Sequence, residues 1–150
     1  MLSDKEKKIL EKKIKNISST NQKITILLIE KLKKDLEDKD LLKKNIKTNI
    51  KQCNGDILYI YNIANDMWYL AGDQSSDYNF YTKRIILSGI LSKLYFKILS
   101  LNNYDEEKLV EDIKTEIKKV GKFNKFKSEI ISVFQSLKDK SFSKNSGRGY

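Results

Sequence analysis

The stretch that decides how this chain folds reads DMWYLAGDQSSDYNFYTKR and runs from Asp66 to Arg84. It holds the only tryptophan of a chain that is otherwise dominated by Lys, Ile, Leu, Asn and Ser. Gly72 permits a left-handed backbone, and Ser75 or Ser76 supplies the N-cap of a following helix. The stretch therefore predicts the end of one helix, a capped turn and the start of a second helix.

The first turns of this second helix carry an acidic residue and three aromatic residues, namely Asp77, Tyr78, Phe80 and Tyr81. Side chains at this spacing fan round the helix axis and cannot all enter one core. Tyr81 lies one turn before Ile85, and Phe80 lies one turn before Arg84, so we expect Phe80 to be the exposed aromatic. Exposed aromatics are typical anchors of an interface. The alternative is that all of them are core or capping residues, with the aspartates merely stabilising helix ends.

The composition predicts one all-α domain with a substantial core. The chain has 150 residues, no proline and six glycines, so long helices are not interrupted. Apolar residues at helical spacing predict helices over 4–17, 56–70 and 76–100. Between residues 22 and 53 an apolar edge also continues, and the charged run Glu37–Asp40 within it is either a turn or an exposed helix face. The helix over 76–100 is apolar round most of its circumference, which is typical of a central helix.

Two further helices are predicted beyond residue 104. Asp105 is expected to cap a helix with glutamates in its first turn and lysines in its last, as the helix dipole favours. A final helix over 123–137 is amphipathic and rich in phenylalanine, with Phe123, Phe126, Ile130 and Phe134 along one side. Such a face suits a membrane interface, or it packs on the bundle or on a second subunit. The tail 139–150 is polar and is expected to be disordered.

The formal net charge of +10 suggests an anionic partner, either nucleic acid or a membrane surface. Only Arg84 and Arg148 are arginines, so the remaining basic residues are lysines on flanking helices, where solvated faces are the plainer interpretation. The single cysteine, Cys53, excludes an intrachain disulfide and fits a reducing compartment. With neither a signal peptide nor an apolar run of spanning length, we expect a cytoplasmic protein that is peripheral to the inner face of the membrane.

The residue inventory also excludes several classes of chemistry. The chain has no histidine, which removes Ser-His and Cys-His nucleophile pairs and every histidine-containing metal site. No glycine-rich phosphate loop occurs. Carboxylate pairs such as Glu107/Glu111 and Asp112/Glu116 lie beside lysines and are expected to be solvated. We therefore expect neither an enzyme nor a cofactor or metal site.

The Asp66–Arg84 stretch resembles the signature of the Coq-nine family of ubiquinone-biosynthesis accessory proteins. The matching positions are Trp68, Ala71-Gly72-Asp73, Ser75-Ser76-Asp77, Tyr78, Asn79, Phe80 and Tyr81-Thr82-Lys83-Arg84. Phe80 stands where the family usually has tryptophan. The resemblance extends loosely to Phe134, whereas residues 1–53 do not align with the family's N-terminal unit. The chain therefore resembles a short or diverged member.

This resemblance implies an all-α helical bundle like the ligand-binding half of TetR-like regulators, generally dimeric, with a short or degenerate N-terminal DNA-binding unit. It divides the chain into lysine-rich N-terminal helices over 1–53, a lipid-binding core over 54–138, and the tail 139–150. It further implies a non-catalytic protein that presents an isoprenoid quinone precursor to a membrane-bound di-iron hydroxylase.

The resemblance also assigns residues to these roles. The partner-facing candidates are Asp77, Phe80, Tyr81 and Arg84. The lipid-binding candidates are Trp68 and four residues of the long apolar helix, namely Leu87, Leu91, Leu94 and Tyr95. Phe123, Phe126, Ile130 and Phe134 would lie at the membrane surface.

Two other functions fit parts of the sequence. A purely structural helical dimer without a ligand cavity shares most of the pattern and differs only in whether the core is filled. A nucleic-acid-binding regulator fits the charge and the TetR-like fold. The absence of arginine before Arg84 disfavours this regulator, because sequence-specific reading of DNA relies on arginine.

Overall fold

The computed structural model of the chain describes residues 1–53 and 56–120, without the side chains of residues 49–50 and 52–57. Five helices are α1 Asp4–Ile14, α2 Thr20–Glu37, α3 Lys39–Cys53, α4 Asp56–Leu70 and α5 Asp77–Ser100, and α6 covers residues 106–120. No strand occurs in the described part of the chain, so the all-α prediction is confirmed and agrees with the architecture that the resemblance implies. The chain forms two compact units, Met1–Glu116 and Ile117–Tyr150, and the first unit contains α1 to α5 and the greater part of α6.

Local side-chain caps explain where several helices begin. Ser3 and Glu6 form a reciprocal capping box at the start of α1. The hydroxyl of Ser19 accepts a hydrogen bond from Gln22 N at the start of α2. Asp105 Oδ1 accepts from Lys108 N at 3.0 Å, which confirms the predicted cap of α6.

The charged run Glu37–Asp40 is a turn and not the face of a longer helix. Asp38 leaves the helical conformation with φ −127° and ψ 74°, and α2 ends before it. Its carboxylate accepts a hydrogen bond from Leu41 N at 2.9 Å and so starts α3. Of the two alternatives that the sequence allows, the structure therefore selects the turn.

The core lies between α4, α5 and α2. The fully buried apolar side chains of these helices are Leu27, Leu28, Leu32, Ile63, Met67, Leu91, Leu94 and Ile98. On α4, Ile63 is buried, while Tyr61 and Trp68 are half-buried at the edge of the core. The long helix α5 buries one face and leaves Ile85 and Phe96 exposed, so its apolar circumference does not make it central on all sides.

A charged cluster is enclosed within this core. Lys31 Nζ lies 2.7 Å from Asp35 Oδ1 and 3.3 Å from Glu6 Oε1. The hydroxyl of Tyr95 donates to Asp35 Oδ2 at 2.9 Å. Lys31, Asp35 and Tyr95 are all buried, and the cluster joins α1, α2 and α5. Ion pairing is what makes a buried lysine and a buried aspartate tolerable.

The N-terminal helices belong to the same compact unit as the rest of the bundle. Leu2 N donates to Asp66 Oδ2 at 2.8 Å, and Lys7 pairs with the same carboxylate at 3.2 Å. These contacts attach α1 to α4, and the division at residue 53 stays a prediction. The membrane-interface candidates Phe123, Phe126, Ile130 and Phe134 and the tail 139–150 lie outside the described residues.

Candidate functional site

The site is built on the turn that ends α4. Gly72 has φ +78°, which a side chain would strain, and Gly72 N donates to Tyr69 O at 3.0 Å. Asp73 N donates to Trp68 O at 3.0 Å, so the two bonds together form a Schellman motif. The motif satisfies the last carbonyls of α4 and directs the chain towards α5. The predicted turn after Ala71 is confirmed.

A buried ion pair joins this turn to α5. Arg84 Nη1 lies 3.1 Å from Asp73 Oδ2, and both side chains are 3% exposed. Asp73 also accepts hydrogen bonds from Lys83 Nζ at 2.7 Å and from Ser75 Oγ at 2.6 Å. Three residues of the signature stretch thus donate to the carboxylate of Asp73.

Arg84 makes three further contacts that fix its orientation. Its Nε donates to Asn65 Oδ1 at 2.7 Å, and its Nη1 donates to Phe80 O at 2.9 Å. The guanidinium carbon lies 3.4 Å from the centre of the Phe80 ring, which is a cation–π contact. Arg84 therefore holds α4, the turn and the first turns of α5 together.

The protonation behaviour of Asp73 reflects this arrangement. Burial by itself would raise the pKa of the Asp73 carboxyl, but the hydrogen bonds from Lys83, Ser75 and Arg84 outweigh it and lower the pKa to about 2. The carboxylate is therefore ionised at neutral pH. A charged acceptor strengthens each of the bonds that it receives.

Trp68 forms a second connection between α4 and α5. Its indole Nε1 donates to Lys83 O at 3.1 Å, and Lys83 Nζ lies 5.1 Å from the ring centre. The indole is half-buried, so it supports the turn and is only partly open to solvent. The resemblance assigned Trp68 to lipid binding, and the contacts add a structural role for it.

The aromatic side chains in the first turns of α5 are oriented differently from the prediction. Tyr78 and Tyr81 are 58% and 59% exposed, whereas Phe80 is half-buried beneath the Arg84 guanidinium. The expectation that Phe80 is the exposed aromatic is wrong. It assumed that Arg84 faces solvent and Ile85 faces the core, and the structure reverses both.

The partner-facing candidates therefore divide into two groups. Asp77 and Tyr81 lie on the surface. Arg84 is 2% exposed and Phe80 packs against it, so Arg84 positions the turn in this structure, and its contact with a partner stays a prediction. Tyr78, which the sequence placed on this turn but not in the site, joins the exposed pair.

The start of α5 is also conformationally unusual. Ser76 occupies the N-cap position, but its side chain makes no capping hydrogen bond. Asp77 has φ 56°, a left-handed conformation that aspartate tolerates better than most residues. The predicted serine cap is therefore present in position only, because the Ser76 side chain makes no capping bond and the Ser75 hydroxyl donates to Asp73 instead. The strained residue lies next to Tyr78 on the exposed face.

The lipid-binding candidates on α5 lie together on one buried face. Leu91 and Leu94 are 0% exposed, and Leu87 and Tyr95 are buried as well. A side chain with no accessible surface has no water-sized void beside it, so these residues are packed core in this structure. Lipid binding here stays a prediction, and it would require α5 to separate from a neighbouring helix.

The site offers binding contacts more than reactive groups. Within residues 1–53 and 56–120 no group of three potential metal ligands occurs. The carboxylates of Asp112 and Glu116, expected to be solvated, are bonded to Lys97 and Lys93 on α5. No helix in the described part of the chain is long and apolar enough to span a membrane.

Two determinants of the site escaped the sequence analysis. Asn65 lies nineteen positions before Arg84, so only the packing of α4 on α5 brings them together. A helix-end role for Asp73 is only one of the two interpretations that the sequence allows, and the signature that contains Asp73 also contains the only arginine before residue 148. An isolated arginine in a lysine-rich chain is the residue to suspect of a specific ion pair.

Comparison with known proteins finds a family model that matches the same segment. A family model described as COQ9 matches residues 57–124. The ubiquinone biosynthesis protein COQ9, mitochondrial, of Rattus norvegicus is 57% identical over 28 residues, which are 19% of this chain and 9% of the relative. The ubiquinone biosynthesis protein COQ9-B, mitochondrial, of Xenopus laevis is 34% identical over 67 residues, which are 45% of this chain and 20% of the relative.

No solved structure matches the chain. The chain spans a fifth or less of the length of these curated relatives. The family model nevertheless covers the turn, the ion pair, the exposed tyrosines and the whole of α5. The resemblance found in the Asp66–Arg84 stretch is therefore confirmed, and residues 57–124 of this chain are similar to the COQ9 family.

Proposed function

We propose that this chain is a non-catalytic accessory protein of ubiquinone biosynthesis. It would bind an isoprenoid quinone precursor and present it to a di-iron hydroxylase, as the family resemblance implies. The observation that carries the proposal is the pair of exposed tyrosines, Tyr78 and Tyr81, on a turn held by the buried Asp73–Arg84 pair. The hydroxylase would dock on this surface.

Rigidity of the turn supports a docking role. Tyrosine is enriched at the centres of interfaces because it combines a large apolar ring with a hydroxyl. The Schellman turn and the ion pair hold the backbone of these tyrosines before a partner arrives. Less conformational entropy is then lost on association, which favours affinity. The ring of Tyr81 is also held edge-on against Phe80, with centroids 5.2 Å apart.

The docking proposal is tested by substituting one exposed tyrosine and measuring binding to the purified hydroxylase. Tyr81→Ala should weaken binding by ~30-fold or more, the equivalent of about 2 kcal/mol for an interface anchor. Phe96→Ala is the matched control, since Phe96 is also an exposed aromatic on α5 and lies outside the signature. Equal losses for the two variants, or no loss for Tyr81→Ala, would contradict docking at this surface.

The lipid part of the proposal concerns the buried face of α5. Its leucines and Tyr95 would contact an isoprenoid tail once α5 separates from a neighbouring helix. The test is extraction of the purified protein with organic solvent, followed by mass spectrometry for a quinone-like lipid. A stoichiometric lipid is the expected result.

A structural helical dimer without a ligand is the second candidate. The complete burial of Leu91 and Leu94 favours it, because a filled core leaves no room for a tail. Lipid-free protein with no affinity for quinone analogues would favour this candidate over the first. The oligomeric state measured by light scattering would complete the distinction.

A further inference from the structure

The lysines of this protein divide into those that pair with acidic groups and those that do not. On α5, Lys93 and Lys97 are bonded to carboxylates of α6. Four lysines on or next to α1 and α2 form no ion pair with any described residue, and these are Lys8, Lys12, Lys15 and Lys23. They lie along one groove of about 490 Å³, in which Glu11 is the only acidic residue among those described. The groove therefore carries a local excess of three positive charges.

The geometry of α1 concentrates these charges. Lys8, Lys12 and Lys15 are spaced by four and three residues, so they project from one face of the helix. Lys23 adds an ammonium group from the first turn of α2. Because none of these lysines forms an ion pair with a carboxylate in the described part of the chain, their positive potentials add in the groove.

One apolar side chain distinguishes this groove from an ordinary solvated face. The half-buried Leu70 lines it together with the lysines, whereas Ile14, which also lines it, is buried. A second lysine-rich groove on α3, of about 350 Å³, is lined by Lys43, Lys44, Lys47, Lys51, Asp40 and Thr48, and so has no apolar lining among the described residues. Lysines beside a partly exposed leucine match an amphiphile with a phosphate head, whereas no described apolar residue lines the α3 groove.

We propose that the groove between α1 and α2 is a docking surface for the headgroups of an anionic phospholipid membrane. The lysines would contact lipid phosphates, while the half-buried Leu70 would contact the glycerol region. The choice of a membrane over other polyanions rests on the proposed function, because an isoprenoid quinone precursor partitions into a bilayer. Leu70 ends α4 immediately before the Asp73–Arg84 turn, so docking here would bring that turn close to the membrane.

The proposal is tested by sedimentation of the full chain with vesicles that contain no quinone. One set is pure phosphatidylcholine, and the other contains one-third phosphatidylserine. A groove variant changes Lys8, Lys12, Lys15 and Lys23 to glutamine. The matched control changes Lys43, Lys44, Lys47 and Lys51 to glutamine, which removes the same charge and no ion pair between described residues. Circular dichroism verifies that both variants remain helical, and Lys8→Glu/Lys12→Glu is a smaller second variant that reports on the same groove.

We expect the wild-type chain to bind the anionic vesicles and not the neutral ones, with binding lost at high salt. The groove variant should lose at least ~20-fold in partitioning, since each lysine near an anionic surface contributes roughly fivefold. The α3 control should lose less than ~5-fold by the same reasoning.

Three results would overturn the proposal. One is an equal loss in both variants, which would mean that net charge alone attracts the protein. Another is wild-type binding that does not distinguish the two kinds of vesicle. The last is tighter binding to a 20-mer DNA duplex than to anionic vesicles, lost in the groove variant, which would assign the surface to nucleic acid. Because the vesicles contain neither quinone nor hydroxylase, none of these outcomes depends on whether the accessory function is correct.

Discussion

Replacing Arg84 by methionine tests whether the buried ion pair organises the signature turn. Methionine keeps much of the apolar volume but removes the bonds to Asp73, Asn65 and the Phe80 carbonyl. Removing one partner of a buried ion pair typically costs about 3–5 kcal/mol, because the remaining charge stays buried. Asp73 keeps its bonds to Lys83 and Ser75, which favours the lower part of this range. We therefore expect a loss of about 3 kcal/mol in the free energy of unfolding.

The assay is urea unfolding followed by far-ultraviolet circular dichroism at pH 7. A loss of this size is a large fraction of the roughly 5–15 kcal/mol that stabilises a typical domain. Lys83→Met is the control, because Lys83 contacts the same carboxylate but is 33% exposed. A partly exposed pair contributes less, and we expect a loss of about 1 kcal/mol or below.

The double variant Asp73→Asn/Arg84→Met adds an internal check. If the two side chains act as a pair, the combined loss should fall short of the sum of the single losses by roughly 1–3 kcal/mol. A loss below about 1 kcal/mol for Arg84→Met, or a loss equal to that of Lys83→Met, would refute the assignment of Arg84 as the residue that holds the turn.

Two further predictions concern the backbone and the response to acid. Gly72→Ala should destabilise the protein by about 1–2 kcal/mol, because alanine is strained at the positive φ of this position. Gly89→Ala should stabilise it by roughly 0.5–1 kcal/mol, because the added Cβ meets open space within a helix. Thermal unfolding measures both changes in stability. Burial opposes ionisation of Asp73 and Glu6, but hydrogen bonds and nearby cations lower each pKa to about 2. The stability that they contribute is therefore complete above pH ~4.5 and is lost as the pH falls towards ~2, and Asp73→Asn should flatten this part of the curve.

Much of the helical framework could be predicted from local patterns. The bounds of α4 match the predicted 56–70, and α5 ends at Ser100 as expected. Helix ends depend on residues that are close in the sequence and can be recognised there, such as Gly72 at the end of α4 and Asp105 at the start of α6. The pattern between residues 22 and 53 is ambiguous only at Asp38, where the non-helical backbone ends α2 and the bond from Leu41 N starts α3.

The orientation of the signature aromatics could not be predicted in the same way. By the rule that charged residues face water, Arg84 is expected on the surface. Phe80 lies one turn before Arg84 on the same side of the helix, so the rule also predicts an exposed Phe80. It fails because Arg84 finds a buried carboxylate on the turn and an amide on α4, contacts that only the folded arrangement creates. Whether the face of α5 is filled or hollow is likewise a property of packing, which a list of leucines does not contain.

The buried cluster of Lys31, Asp35 and Tyr95 has a consequence for the uniqueness of the bundle. Helices with smooth apolar faces can slide past one another by a turn and still bury similar area. Here a slide of α2 along α5 would separate Asp35 from the Tyr95 hydroxyl and leave two buried polar groups short of a partner. The misaligned arrangement would therefore have a higher free energy than the native one. We therefore expect the cluster to select one register of the helices, at some expense of stability.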